Sequence, residues 1–92
     1  MQVVVQHQID DPEKFFSGSA QEVAENAPAG LQARQFFPSQ DMTAAVCLWE
    51  ADSIDAVRDY VDSATGDASH NTYFEVNSEY AMGLPEAASA GA

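Results

Sequence analysis

The stretch AAVCLWEADS, residues 44–53, decides how this chain is expected to fold. Apart from one glutamate, its first eight residues are apolar at both alternating sets of positions, with Cys47 and Trp49 in one set and Leu48 in the other. This pattern is typical of a strand that is buried on both faces. Ser53 then favours a helix start, because its hydroxyl can accept a hydrogen bond from a free amide of the first turn. We therefore expect a central strand followed directly by a helix.

The rest of the chain divides into elements by the same kinds of pattern. Runs rich in β-branched and aromatic residues predict strands, and apolar residues at helical spacing predict helices. Asp11 and Pro12 favour the start of the first helix, Pro28 its end, and Gly66 the end of the second helix. The predicted elements are strands 2–9, 31–37, 43–50 and 72–80, helices 12–27 and 54–65, a turn at 38–41 and a loop at 67–71.

This order of elements predicts an α+β fold of the ferredoxin-like βαββαβ plan. We expect a four-stranded antiparallel sheet with two helices on one face, and the first and third strands as parallel neighbours in its middle. Residues 1–82 would form a single domain and residues 83–92 a loose tail. Burying a side chain such as Leu48 contributes about 1.5–3 kcal/mol. The helix-free face therefore predicts a homodimer in which two sheets pack face to face, a dimeric α+β barrel.

The charge of the chain excludes some partners. Fifteen Asp and Glu residues face three Lys and Arg residues, which gives a formal net charge of −12. Such a surface repels phosphate groups, so we expect neither nucleic acid nor an anionic membrane as a partner. The acidity indicates either an ordinary solvated surface or adaptation to a salt-rich cytoplasm, where ions screen the repulsion. A single cysteine, no signal segment and no long apolar run predict a cytoplasmic protein.

The strand-to-helix junction CLWEADSIDAVRDYV and the later YFEV resemble a known superfamily, the dimeric α+β barrel proteins. Within it, the closest resemblance is to a family of domains of unknown function that includes nickel-binding bacterial proteins. The family pattern is matched by Cys47, Leu48, Glu50, Ala51, Ser53, Asp55, Ala56 and Val57 at the junction, and by Glu75 and Val76 in the last strand.

The resemblance also extends to a histidine, because His7 sits comparably to a histidine on the family's first strand. A family His-Pro pair after the second helix is replaced here by DASHN, with His70 a few residues displaced. The resemblance implies a small dimer that binds nickel or another ligand, or a cofactor-free monooxygenase like other members of the superfamily.

Three potential metal ligands are expected to gather at one rim of the sheet. His7 ends the first strand, Glu50 ends its supposed parallel neighbour, and His70 precedes the last strand. Two imidazoles and a carboxylate are suitable ligands for nickel, zinc or iron. Each residue also has a structural interpretation. His7 would end a strand with a satisfied hydrogen bond, His70 would be an exposed loop residue, and Glu50 would interact with the helix that starts at Ser53.

Two functions follow as hypotheses, beside a purely structural interaction module. One is a small homodimeric domain that binds a ligand or a metal, with nickel or zinc as the candidate ions. The other is a cofactor-free monooxygenase acting on a small aromatic or polyketide-type substrate. Cys47 is expected to be an inert buried thiol, because burial raises a thiol pKa. No catalytic motif is present, so catalytic residues stay unassigned. The predicted ligand pocket is closed by the helix-free face and consists of His7, Trp49, Glu50, Tyr73 and Glu75.

Overall fold

A computed structural model of the protein describes residues 1–18 and 20–85. These residues form a small α+β fold, and the four strands make one antiparallel sheet in the order β2-β3-β1-β4. The elements are β1 (Gln2–Ile9), α1 (Pro12–Phe15), α2 (Ala20–Glu25), β2 (Leu31–Pro38), β3 (Ala44–Ala51), α3 (Ile54–Thr65) and β4 (Ser69–Glu75). The expected α+β class with a four-stranded antiparallel sheet is thus confirmed. Within the described residues, no helix is long and apolar enough to cross a membrane.

The prediction that β1 and β3 run parallel is wrong. The two strands are antiparallel, and the register places Gln2 beside Glu50 and Gln8 beside Ala44. The physical reason lies in the connections. The helical connection returns β2 in the direction of β1, whereas the short turn after β2 reverses the chain, so β3 opposes β1.

The first helical region consists of two short helices rather than one helix over residues 12–27. The predicted start is confirmed, because the Asp11 side chain accepts a hydrogen bond from the Lys14 amide at 3.1 Å and Pro12 opens α1. The helix ends where the Ser17 hydroxyl donates to the Lys14 carbonyl at 2.7 Å. Serine side chains that bond nearby backbone groups compete with the helix, and Gly18 adds backbone freedom.

The last strand lies earlier in the chain than predicted, at Ser69–Glu75 instead of 72–80. The expected loop 67–71 therefore contains strand residues, because β1 continues to Ile9 and pairs there with Ser69. At the other end, the Val76 amide donates to the Gln2 carbonyl at 2.8 Å. Gln2 is the first residue of β1, so the sheet offers no further partner beyond this point. Of the predicted tail 83–92, residues 86–92 lie outside the described part of the chain.

The three helices lie on one side of the sheet, which we call the covered face. Val3 and Val5 of β1 are fully buried there, and Trp49 is 3% exposed. From α3, Val57 and Val61 pack into the same cluster. The opposite side, the helix-free face, leaves apolar side chains in solvent. These are Phe37, Val46 and Phe74, which are 61%, 39% and 47% exposed.

Candidate ligand-binding cavity

A cavity of about 480 Å³ lies between the covered face and the segment that contains α1 and α2. Its walls include Phe15 and Phe16 at the end of α1, Val23 of α2, Phe36 of β2 and Trp49 of β3. Cavities of 300–1,000 Å³ with mostly apolar walls and a few polar groups are typical of small-molecule sites. The size and the wall chemistry therefore suit a small organic molecule.

The cavity exists because small residues meet where the helices cross the sheet. Ala20 and Ala24 of α2, Ala33 of β2 and Ala64 of α3 all line it, and each presents only a methyl group. Protein interiors are normally packed to the density of organic crystals, so four alanines around one gap leave space that no side chain fills. Gly18 lies in the break between α1 and α2 and also lines the cavity.

A buried histidine is one of the polar residues that line the cavity. His7 is 5% exposed, and its ring lies between two partners. Its Nδ1 lies 2.7 Å from Asn71 Oδ1, and its Nε2 lies 3.3 Å from Cys47 Sγ. An amide oxygen can only accept, so Nδ1 carries the hydrogen and Nε2 offers its lone pair to the thiol. His7 and Cys47 both line the cavity, so this pair is within reach of a bound molecule.

Further hydrogen bonds of the Asn71 side chain fix the orientation of its amide group. Its Nδ2 donates to Asp62 Oδ1 at 3.0 Å and to Thr65 Oγ1 at 2.9 Å, and the Ser69 hydroxyl donates to its Oδ1 at 2.8 Å. Because a carboxylate only accepts, this side of the amide must be the nitrogen. The tautomer of His7 is thus set by a chain of hydrogen bonds that begins on α3.

Burial keeps both members of the His7–Cys47 pair neutral. Burial lowers the pKa of His7 from its ordinary value of 6.5, although the hydrogen bond with Asn71 and the charge of Asp62 oppose this change. Burial also raises the pKa of Cys47 to about 11, against the effect of Trp49, whose Nε1 donates to the sulfur at 3.2 Å. Desolvation disfavours the charged form of each group. The cavity therefore presents a neutral imidazole and a thiol at pH 7.

Asp62 links this chain of hydrogen bonds to β4. Burial alone would raise its pKa, but hydrogen bonds from Tyr73 and Asn71 hold that pKa below its ordinary value of 3.8. The Tyr73 hydroxyl donates to Asp62 Oδ1. Burial is the main cause that raises the pKa of Tyr73, and the Asp62 carboxylate raises it further. Asp62 therefore stays ionised and holds Asn71 in place.

The structure does not bring the predicted metal ligands together. His7 lies on the covered face, whereas His70 pairs with Gln8 on the helix-free face and contacts Asp10. Glu50 pairs with Gln2 at the opposite end of β1, roughly 20 Å along the strand from Gln8. Within residues 1–18 and 20–85, no group of three or more His, Cys, Asp or Glu could hold a metal ion. The donor set does not fit the nickel site that the resemblance implies.

Two of the predicted pocket residues, His7 and Trp49, line the cavity. The other three lie elsewhere. Glu50 accepts a hydrogen bond from Gln2 at 3.2 Å. The Tyr73 hydroxyl donates a hydrogen bond to Asp62, and Glu75 is exposed at the end of β4. The alternative interpretation of Glu50 as a partner of the α3 N-terminus also finds no hydrogen bond, since Ser53 caps that helix through the Ala56 amide at 3.1 Å.

Several residues of the candidate site escaped the sequence interpretation. Asn71 was assigned to a loop, and only the position of β4 places it beside His7. The wall residues Phe15 and Phe16 were counted as ordinary helix residues. Lys14 and Arg34 also line the cavity, and the scarcity of basic residues in this chain is a signal that could have drawn attention to both.

Comparisons with known proteins identify no relative of this chain. The sequence matches no protein-family model, and neither the curated proteins nor the solved structures yield a match. Fold and site together define a small α+β protein with a cavity on the covered face of its sheet. The fold is compatible with the ferredoxin-like plan, and the resemblance to dimeric α+β barrels rests on the sequence pattern and the layout.

Proposed function

We propose that this chain is a ferredoxin-like domain that binds a small, largely apolar organic molecule in the cavity of its covered face. One observation carries the proposal: a cavity of about 480 Å³ with aromatic walls has the neutral His7–Cys47 pair in its lining. The walls would bury the apolar body of the ligand, and the pair would provide a directional polar contact. His7 Nε2 and the Cys47 thiol bond each other at 3.3 Å, so a ligand hydroxyl would replace the thiol as donor to Nε2, or a ligand carbonyl would replace Nε2 as acceptor from the thiol.

The ferredoxin-like assignment is supported by the order of elements and strands. A helical segment separates β1 from β2, a short turn joins β2 to β3, and α3 separates β3 from β4. The central strands β1 and β3 are flanked by β4 and β2. The division of the first helical segment into α1 and α2 is the departure from a plain βαββαβ order.

The same domain would work as a homodimer through its helix-free face. Phe37, Val46 and Phe74 leave large apolar side chains exposed there, and apolar surface of this kind favours association. A second copy is the occupant that the resemblance to dimeric α+β barrels implies. A location in the cytoplasm, and in a salt-rich one, belongs to the same proposal. Equal free energies of unfolding with and without molar KCl would contradict the salt-rich location.

Binding is tested with the neutral fluorescent probe N-phenyl-naphthylamine. We expect saturable binding to the wild-type protein and at least about tenfold weaker binding to Ala24→Phe, because the new ring occupies space that the probe needs. The control Ala56→Phe adds the same ring on an exposed position of α3 and should leave binding unchanged. Binding that is absent, or equal in both variants, would contradict the proposal.

A second candidate is cofactor-free monooxygenation of an aromatic or polyketide-type substrate. The observation in its favour is the neutral His7 imidazole at the cavity wall, whose Nε2 lone pair would have to exchange the Cys47 thiol for a substrate proton. Such a base could remove an acidic proton from a bound substrate and leave a carbanion that reacts with O₂. Oxygen uptake with anthrone tests this function. Uptake should require His7 and be lost in His7→Gln, whereas uptake that is equal in the variant would exclude a role for His7.

A further inference from the structure

Cys47, His7 and Asn71 have the mutual geometry of a nucleophile, a base and a group that orients the base. The Cys47 Sγ lies 3.3 Å from His7 Nε2, and His7 Nδ1 lies 2.7 Å from Asn71 Oδ1. A cysteine, a histidine and an asparagine with these contacts recur on unrelated folds, where the histidine activates the thiol. Such a triad is identified by its contacts, because the positions of its members along the chain differ between folds.

The sheet and α3 hold this triad in place. Its three residues lie on the adjacent strands β3, β1 and β4. Asp62 and Thr65 of α3 accept hydrogen bonds from the Asn71 amide, which turns the Asn71 oxygen towards His7. Side chains on strands and helices keep a functional geometry better than side chains on loops. The His7 ring is therefore oriented with its free lone pair towards the sulfur.

The Cys47 thiol is neutral at rest, because burial raises its pKa to about 11. A neutral thiol is a poor nucleophile until a base removes its proton. His7 is such a base, since burial lowers its pKa and leaves the imidazole neutral at pH 7. A histidine activates a serine hydroxyl in the same way, although a hydroxyl is a weaker acid than a thiol.

The cavity gives a substrate access to this sulfur. Cys47 and His7 both line it, and Phe36 and Trp49 provide aromatic walls for a planar substrate. The Trp49 Nε1 donates to Cys47 Sγ at 3.2 Å, so an N–H group lies beside the atom that would attack a carbonyl. Donors of this kind stabilise the negative charge that develops on the carbonyl oxygen during attack.

We propose that the cavity hydrolyses thioesters of small aromatic acids, with Cys47 as the nucleophile, His7 as the base and Asn71 as a positioning residue. The inference rests on the proposed binding function and names the substrate class of the same cavity. A thioester suits the site better than an oxygen ester, because its acyl group moves from one sulfur to another.

The reaction has two steps. In the first, the Cys47 sulfur bonds to the carbonyl carbon and its proton passes to His7 Nε2; the bond to the leaving sulfur breaks, and that sulfur takes the proton. In the second, water attacks the S-acyl group and gives a proton to His7 Nε2; the bond to Cys47 breaks, and the Cys47 sulfur regains that proton. The products are the aromatic acid and the free thiol.

The test uses S-phenyl thiobenzoate, whose hydrolysis releases thiophenol and benzoate. We expect release of both products, with a benzoyl group on Cys47 that intact-mass spectrometry and peptide mapping detect. Cys47→Ala should reduce the release to the uncatalysed rate. His7→Gln should slow it at least about 100-fold, because general-base catalysis is lost. His70→Gln is the matched control, since this second histidine is exposed on the helix-free face, and it should leave the rate unchanged.

Asn71→Ala tests the positioning residue. It should lower kcat for the thioester about tenfold and leave KM unchanged, because the orientation of the His7 ring changes and the cavity walls do not. A rise in KM with an unchanged kcat would overturn the positioning role of Asn71. Binding of neutral N-phenyl-naphthylamine within about twofold of the wild type shows that Cys47→Ala, His7→Gln and Asn71→Ala keep the folded cavity.

The outcomes distinguish hydrolysis from binding. If the neutral probe binds and Ala24→Phe blocks it, but wild-type Cys47 receives no benzoyl group, hydrolysis is overturned and the binding function stands. Equal rates in His7→Gln and His70→Gln, or a benzoyl group that stays on Cys47 without release of benzoate, would overturn hydrolysis as well. If the probe does not bind and the thioester does not react, the binding function itself is overturned.

Discussion

The two faces of the sheet use the same strands but are covered in different ways. On the covered face, Val5 is fully buried and Trp49 is 3% exposed, both beneath helices. On the helix-free face, Val46 of the central strand β3 and Phe74 of the edge strand β4 remain 39% and 47% exposed. The strand pattern made both faces apolar and so indicated that each needs a cover. It does not say whether a helix, a second copy or a ligand provides that cover.

The covered face also differs along its own length. Beneath α3, Val57 and Val61 fill the space against the sheet. Beneath α1 and α2, which have only 4 and 6 residues, the alanine-lined cavity remains. One long, regular α3 thus supplies the packing, and two short helices leave room for a ligand. The proposed division of tasks follows, with stability from α3, binding under α1 and α2, and association through the helix-free face.

The largest expected effect comes from removing the central aromatic residue of the covered face. Trp49→Ala should lower the free energy of unfolding by about 3–5 kcal/mol, because it empties a buried site that also packs edge-to-face on Tyr60 at 5.9 Å. Phe37→Ala removes a ring that is 61% exposed and should cost the monomer less than about 1 kcal/mol. Urea unfolding monitored by circular dichroism compares the two. Equal losses would show that the faces are equally covered.

The sequence predicts the elements that cover the two faces only where neighbouring residues along the chain determine them. Ser53 and Gly66 marked α3 correctly, since a cap is decided within one turn; Ser53 bonds the Ala56 amide and Gly66 has a φ of 58°. Strand direction is a property of the connections, and the wrong direction for β3 sent Glu50 to the wrong end of the sheet.

The candidate site was foreseen only in part for the same reason. His7 and Trp49 line the cavity, although the pocket was expected to be closed by the helix-free face, because strand alternation puts both side chains on the covered face. Asn71 is 64 residues from His7 in sequence, and its role depends on a pairing that no local pattern encodes. The cavity itself arises from four alanines on three different elements, which become neighbours only in the folded chain.

The second prediction concerns association through the helix-free face. The double variant Val46→Ser/Phe74→Ser should weaken the proposed dimer at least about tenfold, because both side chains lose their apolar surface. Sedimentation velocity over a dilution series measures this, with Asp59→Ala on the exposed side of α3 as the control. A wild-type protein that is monomeric at every concentration would remove this face from the proposal and leave the cavity unaffected.

A third test addresses how α3 is held to the cavity segment. The Tyr60 hydroxyl donates to the Val23 carbonyl at 2.6 Å and so joins α3 to α2. Tyr60→Phe should cost about 1 kcal/mol, since one hydrogen bond is lost and the ring is kept. Tyr80 is 79% exposed, so Tyr80→Phe provides the same chemical change as a control. If both variants unfold at the same urea concentration, the hydrogen bond between Tyr60 and Val23 does not stabilise the packing of α3 against α2.

The last test uses pH, because the covered face buries the imidazole ring of His7. Burial lowers the pKa of His7 below 6.5, whereas the unfolded chain keeps the ordinary value, so the unfolded state binds more protons between these two pKa values. The free energy of unfolding should therefore be fully retained above pH 6.5 and should fall as the pH drops from 6.5 towards the folded pKa.

His7→Gln isolates this contribution, because the many carboxylates titrate in both proteins and only the imidazole differs. Below pH 6.5, the free energy of unfolding of the variant should therefore depend less steeply on pH than that of the wild type. The change should be modest, since the Asn71 hydrogen bond and the Asp62 charge partly offset the cost of burial. Urea unfolding of both proteins across this range gives the comparison. Identical slopes would mean that the His7 ring is solvated in solution, and a ligand in the cavity would then meet an imidazole that can become charged. In that case the covered and helix-free faces would differ less in solution than the buried ring of His7 indicates.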